Sequence, residues 1–371
     1  MKNHWLINFT VGALMIVMFF LMLGSIKDDV PIVDEVPHIG AGYSYLAKRD
    51  SRMNPEHPPL IKNLAAAPLM FLNLNSPFKT GAWERGMRDA GQWYFGRDLL
   101  FTVGNNPQKI MFWSRLPMIL LTILLGLLIF KWSRELFGNL TALVILAFYA
   151  FSPTFLAHGR FVTTDLGAAI GVFAATYYFW RFLKKPSAKN IFWAGIVFGL
   201  AQLTKYSVVL LIPFFAGAAI IWIIVRSRRQ PPVDSILKYG AKIFGGLILV
   251  GLIGSALAIW PVYQFQIQDY PPERQLEDAA SLLSSFGFRP AVDSNLWLIS
   301  QPIFRAFGQY LLGLLMVFQR AAGGNTTYFL GEVSATSWWY YFPAVYLLKE
   351  TLALHILTLT ALIYCGFKTA R

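Results

Sequence analysis

Charged residues are scarce. Asp, Glu, Lys and Arg make up 14% of the 371 residues, against roughly a quarter in soluble domains. With 56% of the chain hydrophobic and 16% aromatic, that shortfall excludes an ordinary soluble domain and indicates a membrane protein. Cysteine is all but missing: Cys365 stands alone in an apolar run, so no intrachain disulfide can form. No Cys/His spacing of the zinc-binding kind occurs, and no low-complexity tract or internal repeat is visible. Acids are outnumbered, 19 against 32 bases, for a net charge of +13. A nucleic-acid partner would account for such an excess, but the placement of the bases excludes it.

Apolar runs near the roughly 20 residues a helix needs to cross a hydrocarbon core of about 30 Å recur along the chain. Eight spans are predicted: 5–26, 112–131, 140–157, 161–183, 191–203, 207–225, 243–263 and 341–367. The first is long for a signal peptide and lacks a small-residue cleavage site, so it reads as a retained anchor. Most bases outside the long segments fall on one side of these runs: Lys2; Lys131 and Arg134; Arg181, Lys184, Lys185 and Lys189; Arg226, Arg228, Arg229, Lys238 and Lys242; Lys368 and Arg371. The acids there are Glu135 and Asp234, and the short turns of the other side hold just Arg160 and Lys205. The positive-inside rule then puts both termini in the cytoplasm. The basic excess is a topology signal and an attraction to anionic lipid, with no nucleic acid involved. The expected fold is all-α: a polytopic membrane protein, one module over 1–371, with about eight transmembrane helices and two large extracytoplasmic loops containing interfacial helices.

Those outer segments are 27–111 and 264–340. In the first, Leu60, Leu64, Ala67, Phe71 and Leu74 recur at helical spacing, with Lys62, Asn63, Asn73 and Asn75 off the stripe. The pattern predicts an amphipathic helix in the membrane interface, started by Pro58 and Pro59. In the second, a helix is predicted over 273–286. The stretch 303–318 is apolar, but Arg305 and Gln309 interrupt it, and a true span there would put Lys368 and Arg371 outside. It is therefore expected to be an outer helix.

Chemistry concentrates in the first outer segment, which carries Asp28, Asp29, Asp34, Glu35, His38, Asp50, Glu56 and His57. Asp34 and Glu35 are adjacent, about eight residues beyond the first span. A solvated acidic loop would have the same composition. Elsewhere the ionisable groups singled out within spans lie at outer ends: Arg160, with Asp165 further in, then Lys205, and Lys349 with Glu350. Charges in a span usually face protein and serve function. The plainer readings are an Arg160–Asp165 ion pair joining two helices, Lys205 snorkelling to the interface, a structural Lys349–Glu350 pair, and interfacial His38 and His158. A carboxylate base together with cations at headgroup depth suits chemistry on a lipid phosphate: the base activates a hydroxyl and the cations stabilise the leaving phosphate. A transporter would instead place its ionisable groups near the midplane, between Gly/Pro-broken helices.

Four blocks carry a family resemblance: DEVPHIGAGYSYL with NPEHPPLIKNLAAAPL, then GRFVTTDLGAA, GLAQLTKYS and YFLGEVSATSWWYYFPAVYLLKE. In that order and topology the chain resembles GT-C type membrane glycosyltransferases, nearest the dolichyl- or polyprenyl-phosphate-mannose protein mannosyltransferases and the aminoarabinose transferases. The resemblance implies a polyprenyl-phosphate sugar donor, inversion at the anomeric carbon, and Asp34 as catalytic base with Glu35 shaping the acceptor site. It implies donor phosphate or sugar contacts from Lys62, Arg160, Asp165 and Lys205, and acceptor-side or supporting roles for Glu56, His57, Trp338 and Tyr341. Relatives vary in metal use, and the first loop has no D-x-D motif, so no metal ligand and no cofactor is assigned; a divalent metal stays open. Relatives also carry a histidine before the block that here reads GGNTTYFLG, and they continue past the eighth span, which marks a short member or a truncated product. The implied partners are the lipid-linked donor, membrane lipid and an acceptor that is a protein, a lipid or a glycan. The implied location is the cytoplasmic (inner) membrane with the active site on its outer face. A lipid or sugar transporter, or a non-catalytic partner subunit, is the alternative.

Overall fold

A computed structural model describes residues 4–227, 233–324 and 326–369. Lys2, Arg228, Arg229 and Arg371 of the basic pattern lie outside the described residues, as does the Asp234 side chain. The described chain is helical except for one hairpin. In order, the helices are α1 (His4–Ser25), α2 (Glu35–Lys48), α3 (Leu60–Ala66), α4 (Gly81–Arg85), α5 (Gly91–Arg97), α6 (Pro107–Phe137), α7 (Asn139–Ala150), α8 (Pro153–His158) and α9 (Thr164–Lys184). There follow α10 (Ala188–Gln202), α11 (Leu211–Ser227), α12 (Val233–Gly254), α13 (Trp260–Gln266), α14 (Pro272–Leu282), α15 (Arg289–Ser300) and α16 (Arg305–Gly323). Strands β1 (Thr327–Phe329) and β2 (Glu332–Ser334) form the hairpin, and α17 (Tyr341–Lys349) and α18 (Leu352–Thr369) close the chain.

Among the described residues, five helical stretches are long and apolar enough to cross a membrane: His4–Ser25, Pro107–Phe137, Thr164–Lys184, Tyr206–Ser227 and Ile236–Gln266. The chain is thus a multi-pass membrane protein, but three of the eight predicted spans take other forms. Run 140–157 breaks between α7 and α8 because Ser152 precedes Pro153 and is extended, at ψ 122°; a residue before proline is pushed out of the helical region. Run 191–203 becomes α10, whose 15 residues rise about 22 Å, short of the core thickness. Run 341–367 bends by 116° between Tyr341–Lys349 and Leu352–Lys368. The break falls at Glu350, extended at ψ 156°, so Lys349 and Glu350 end one helix instead of lying inside a continuous span. Counted as one span, the bent pair would make six. Helix α16 is not among the five, in line with the outer-helix expectation for 303–318.

The chain divides into two compact units. The first comprises 1–27, 119–161 and 320–371. In it α1 packs on α7, and the Gly126 position is crowded by Met15 and Tyr149: an added Cβ would lie 2.8 Å from Met15 Sδ. The Thr122 hydroxyl donates to Gly159 O at 2.7 Å, and Tyr149 OH donates to Thr122 O at 2.7 Å.

The second unit comprises 28–118 and 162–319. Its membrane part is built on α9 to α12, with Phe179 stacked on Phe215 at 4.0 Å between ring centres and Phe182, Phe198 and Val250 buried around them. Elsewhere in this unit, α14, α15 and α16 share a core of Ala279, Leu283, Val292, Ile299, Leu312 and Leu315. Helix α2 is clasped by α3 and α5 at a distance only glycine allows. A Cβ at Gly42 would sit 2.1 Å from Lys62 O, and one at Gly40 would sit 2.7 Å from Gly96 Cα.

The predicted amphipathic helix over 60–74 is present at Leu60–Phe71, with its apolar stripe turned away from the protein. Ile61, Lys62, Ala65, Ala66 and Leu69 are buried, while Phe71 of the expected apolar stripe is 90% exposed. Lys62, which is off the stripe, belongs to the inward face, where α3 lies against a polar interior.

Candidate functional site

Asp34 occupies the N-cap of α2 without a side-chain capping bond and is exposed. The next residue has the opposite environment. Glu35 is wholly buried; its Oε1 accepts from Arg115 Nε at 2.9 Å and Val162 N at 3.0 Å, and its Oε2 from Arg115 Nη2 at 2.6 Å and Ile32 N at 3.0 Å. Arg115, from α6, is wholly buried too. It also donates to Val30 O at 2.9 Å and Asp29 O at 3.3 Å, with Asp29 Oδ2 at 3.6 Å. Glu35 therefore fastens 29–35 to α6 and to Val162, just ahead of α9, and its lone pairs are occupied by the protein. Its geometry holds the chain rigid immediately after Asp34. Arg115 is absent from the residues singled out on sequence alone, although an arginine inside an apolar run is a signal by itself.

Lys62 is a second buried centre. Its ammonium donates to Asn54 O at 2.6 Å, His57 O at 2.7 Å, Asn54 Oδ1 at 2.9 Å and Tyr45 OH at 3.1 Å. Burial holds its pKa well below the ordinary lysine value, opposed by the Glu56 carboxylate. Held by four protein oxygens, Lys62 ties down the 54–57 turn. That turn holds half-buried Glu56 and His57; Gln92, bonded to Asn54, donates to Glu56 Oε1 at 3.3 Å.

His38 is buried, not interfacial. Its Nδ1 lies 2.9 Å from Val162 O, and because a carbonyl only accepts, the proton is on Nδ1 and Nε2 keeps its lone pair. The ring meets His57 edge to face at 5.0 Å. Desolvation, followed by the Lys62 charge, lowers its pKa to about 4, against the raising influence of the Val162 bond, Asp165 and Glu35.

Asp165, in the first turn of α9, pairs with Lys205 at 2.6 Å. The Lys205 side chain is 31% exposed and that of Asp165 67%, so this cation is held near solvent by a carboxylate. The Lys205 turn is in turn anchored to the acidic segment: Leu60 N donates to Leu203 O at 3.1 Å and Tyr206 OH to Pro55 O at 3.2 Å. Helix α9 is close to α3, since a Cβ at Gly167 would meet Ile61 at 2.4 Å. One framework thus carries Asp34, Glu56, His57, Asp165 and Lys205.

The other singled-out residues belong to the first unit. Arg160 donates to Ser25 O at 2.9 Å and lies over the Phe161 ring; the ion pair that Asp165 makes is with Lys205. Trp338 and Tyr341 surround Phe329, with ring centres 5.7 and 5.4 Å from it. Among the described residues, no group of three or more His, Cys, Asp or Glu is arranged to hold a metal ion.

These features define an all-α polytopic membrane protein with a carboxylate and a paired lysine on one framework, and the chain resembles the GT-C type protein mannosyltransferase group. Residues 100–260 match the family described as dolichyl-phosphate-mannose-protein mannosyltransferase. The fold is similar to a chain of the solved S. cerevisiae protein O-mannosyltransferase Pmt1–Pmt2 complex bound to the sugar donor, with a TM-score of 0.50 at 18% identity. The match covers 71% of this chain and 34% of that chain, so this chain spans about a third of that length. No curated protein matches the sequence.

Proposed function

We propose that the chain is a glycosyltransferase that moves a sugar, mannose by likeness to the matched family, from a polyprenyl-phosphate donor to an acceptor hydroxyl with inversion. The observation that carries this reading is the contrast between two adjacent acids: Asp34 is exposed, while Glu35 is locked beneath it by Arg115. A general base must be reachable and held still, and this arrangement supplies both. Asp34 takes the proton of the acceptor O–H, the oxygen attacks the anomeric carbon, and the bond from that carbon to the phosphate oxygen breaks. The departing lipid phosphate gains negative charge, which Lys205, oriented by Asp165, compensates. Glu56 and His57 line the acceptor side. No step is assigned to a metal.

The one-sided basic pattern supports a cytoplasmic membrane setting with both termini inside and the site outside, a topology in which α7–α8, α10 and the bent α17–α18 pair cross the membrane together with the five long helices. Incubating the purified protein with labelled polyprenyl-phosphate sugar and candidate acceptors tests the chemistry. Release of polyprenyl phosphate with transfer of label is expected. Movement of label across vesicles without release supports a transporter instead. For the topology, a reporter after Lys189 is expected to read cytoplasmic and one within 281–293 external; the reverse at 281–293 overturns it.

A further inference from the structure

The hairpin of the first unit is built inside out for a water-soluble turn. Tyr328 pairs with Val333 and Phe329 with Glu332, so strand alternation puts Tyr328 and Val333 on one face and Phe329 and Glu332 on the other. Phe329 is buried among Trp338, Tyr340 and Tyr341, which fixes that face to the protein. The opposite face points outward, with Tyr328 67% and Val333 69% exposed. The tip is Leu330–Gly331, both with positive φ, 50° and 92°. Such two-residue turns favour Asn-Gly, and a branched leucine in the left-handed region is strained. Yet Leu330 is 78% exposed, so no contact among the described residues repays that strain.

Two observations identify what covers this face. The surface continues into Trp339, 92% exposed, and Phe342, 78% exposed, and then into the apolar helices α17 and α18, whose outward residues include Leu347, Leu348 and Leu352. Trp and Tyr gather where membrane-spanning chains meet the headgroup layer, and 338–341 reads Trp-Trp-Tyr-Tyr. From 321 to 348 Glu332 is the sole Asp, Glu, Lys or Arg, and the pairing register puts it on the face opposite Tyr328 and Val333. A protein ligand is commonly steered by charge; this surface offers none on its outward side, whereas the boundary between headgroups and acyl chains asks for apolar and aromatic groups. We propose that Leu330, Tyr328, Val333, Trp339 and Phe342 form a membrane-docking surface seated in that boundary, so that the hairpin grips lipid beside the bent α17–α18 pair. This inference is independent of the glycosyltransferase reading.

The test is site-directed fluorescence on the full chain in phosphatidylcholine vesicles. In a Cys365→Ser background, Leu330→Cys and Val333→Cys are each labelled with a nitrobenzoxadiazole probe, and Asp293→Cys, at an exposed position of α15, serves as reference. At 330 and 333 the emission is expected to shift to the blue, to be quenched by lipids with a shallow doxyl group, and to resist an aqueous reductant; the reference should show the reverse. Leu330→Asn, which suits the left-handed turn, should keep the fold and reduce lipid quenching at 333. Should Leu330→Cys fail to fold, Val333→Cys, away from the turn, gives the same reading. Probes at 330 and 333 as open to the aqueous reductant as 293 overturn the proposal. So does shielding from both lipid and water, which would mean that another polypeptide covers the face.

Discussion

Arg115 and Glu35 meet at 2.6 Å with both side chains fully buried, joining α6 to the start of α2 across 80 residues of sequence. A buried ion pair contributes little over an apolar pair of the same shape, but removing one partner strands a charge and costs about 3–5 kcal/mol. Glu35→Gln or Arg115→Met alone should therefore lower thermal stability in detergent sharply. The double variant should lose less than the sum of the two, because it strands no charge. Additive losses in a double-mutant cycle would mean that the two residues act separately.

Helix positions and the concentration of acids before α2 were legible in the sequence because apolar run length and charge scarcity are strong signals in a bilayer. What escaped was the inward orientation of polar groups. The stripe left Lys62 off the apolar face of α3 but gave no sign of the four oxygens that hold it inside. Arg115 passed unnoticed within an apolar run because its partner lies 80 residues away, beyond the reach of any local pattern. The breaks at Ser152 and Glu350 hang on single backbone torsions, which run length does not register, although Pro153 foretold the first.

His38 gives the stability a pH dependence of defined sign. Burial and Lys62 hold its pKa at about 4, below the ordinary 6.5. Between those values the unfolded chain binds more protons than the folded one, so stability rises with pH through this window and falls as pH drops from 6.5 toward 4. The full difference is about 3 kcal/mol at most, at 1.36 kcal/mol per unit. His38→Gln should flatten the slope of melting temperature against pH between 4 and 6.5. An unchanged slope would assign the effect to other groups.

Lys205 and Asp165 are partly open to water, so their pairing contributes about 0–1 kcal/mol to stability. Lys205→Ala should melt near the wild-type temperature while raising the KM for the lipid donor roughly ten- to a hundredfold, the worth of a charge-assisted hydrogen bond of about 1.5–3 kcal/mol. Asp165→Asn should raise it less, since it leaves the cation in place. A KM for the acceptor that moves as much as that for the donor would place Lys205 elsewhere in the reaction.

Asp34 carries the sharpest expectation. Its side chain makes no capping bond and is exposed, so Asp34→Asn removes a base without removing a structural contact, and asparagine caps a helix about as well as aspartate. Loss of a general base lowers rates by about 10²–10⁴. The variant should bind donor and melt as the wild type does, yet transfer no measurable sugar. Glu35→Gln should lose activity together with stability, because its carboxylate holds Arg115. Asp28→Asn should be nearly silent: Asp28 sits at φ 60°, which asparagine tolerates. Asp29 approaches Arg115 at 3.6 Å, so Asp29→Asn should cost a little stability and little activity. Activity plotted against melting temperature for the four variants then separates the roles: Asp34→Asn alone should fall far below the line the others define. If it lies on that line, the acidic segment is a structural loop and the base must be sought elsewhere.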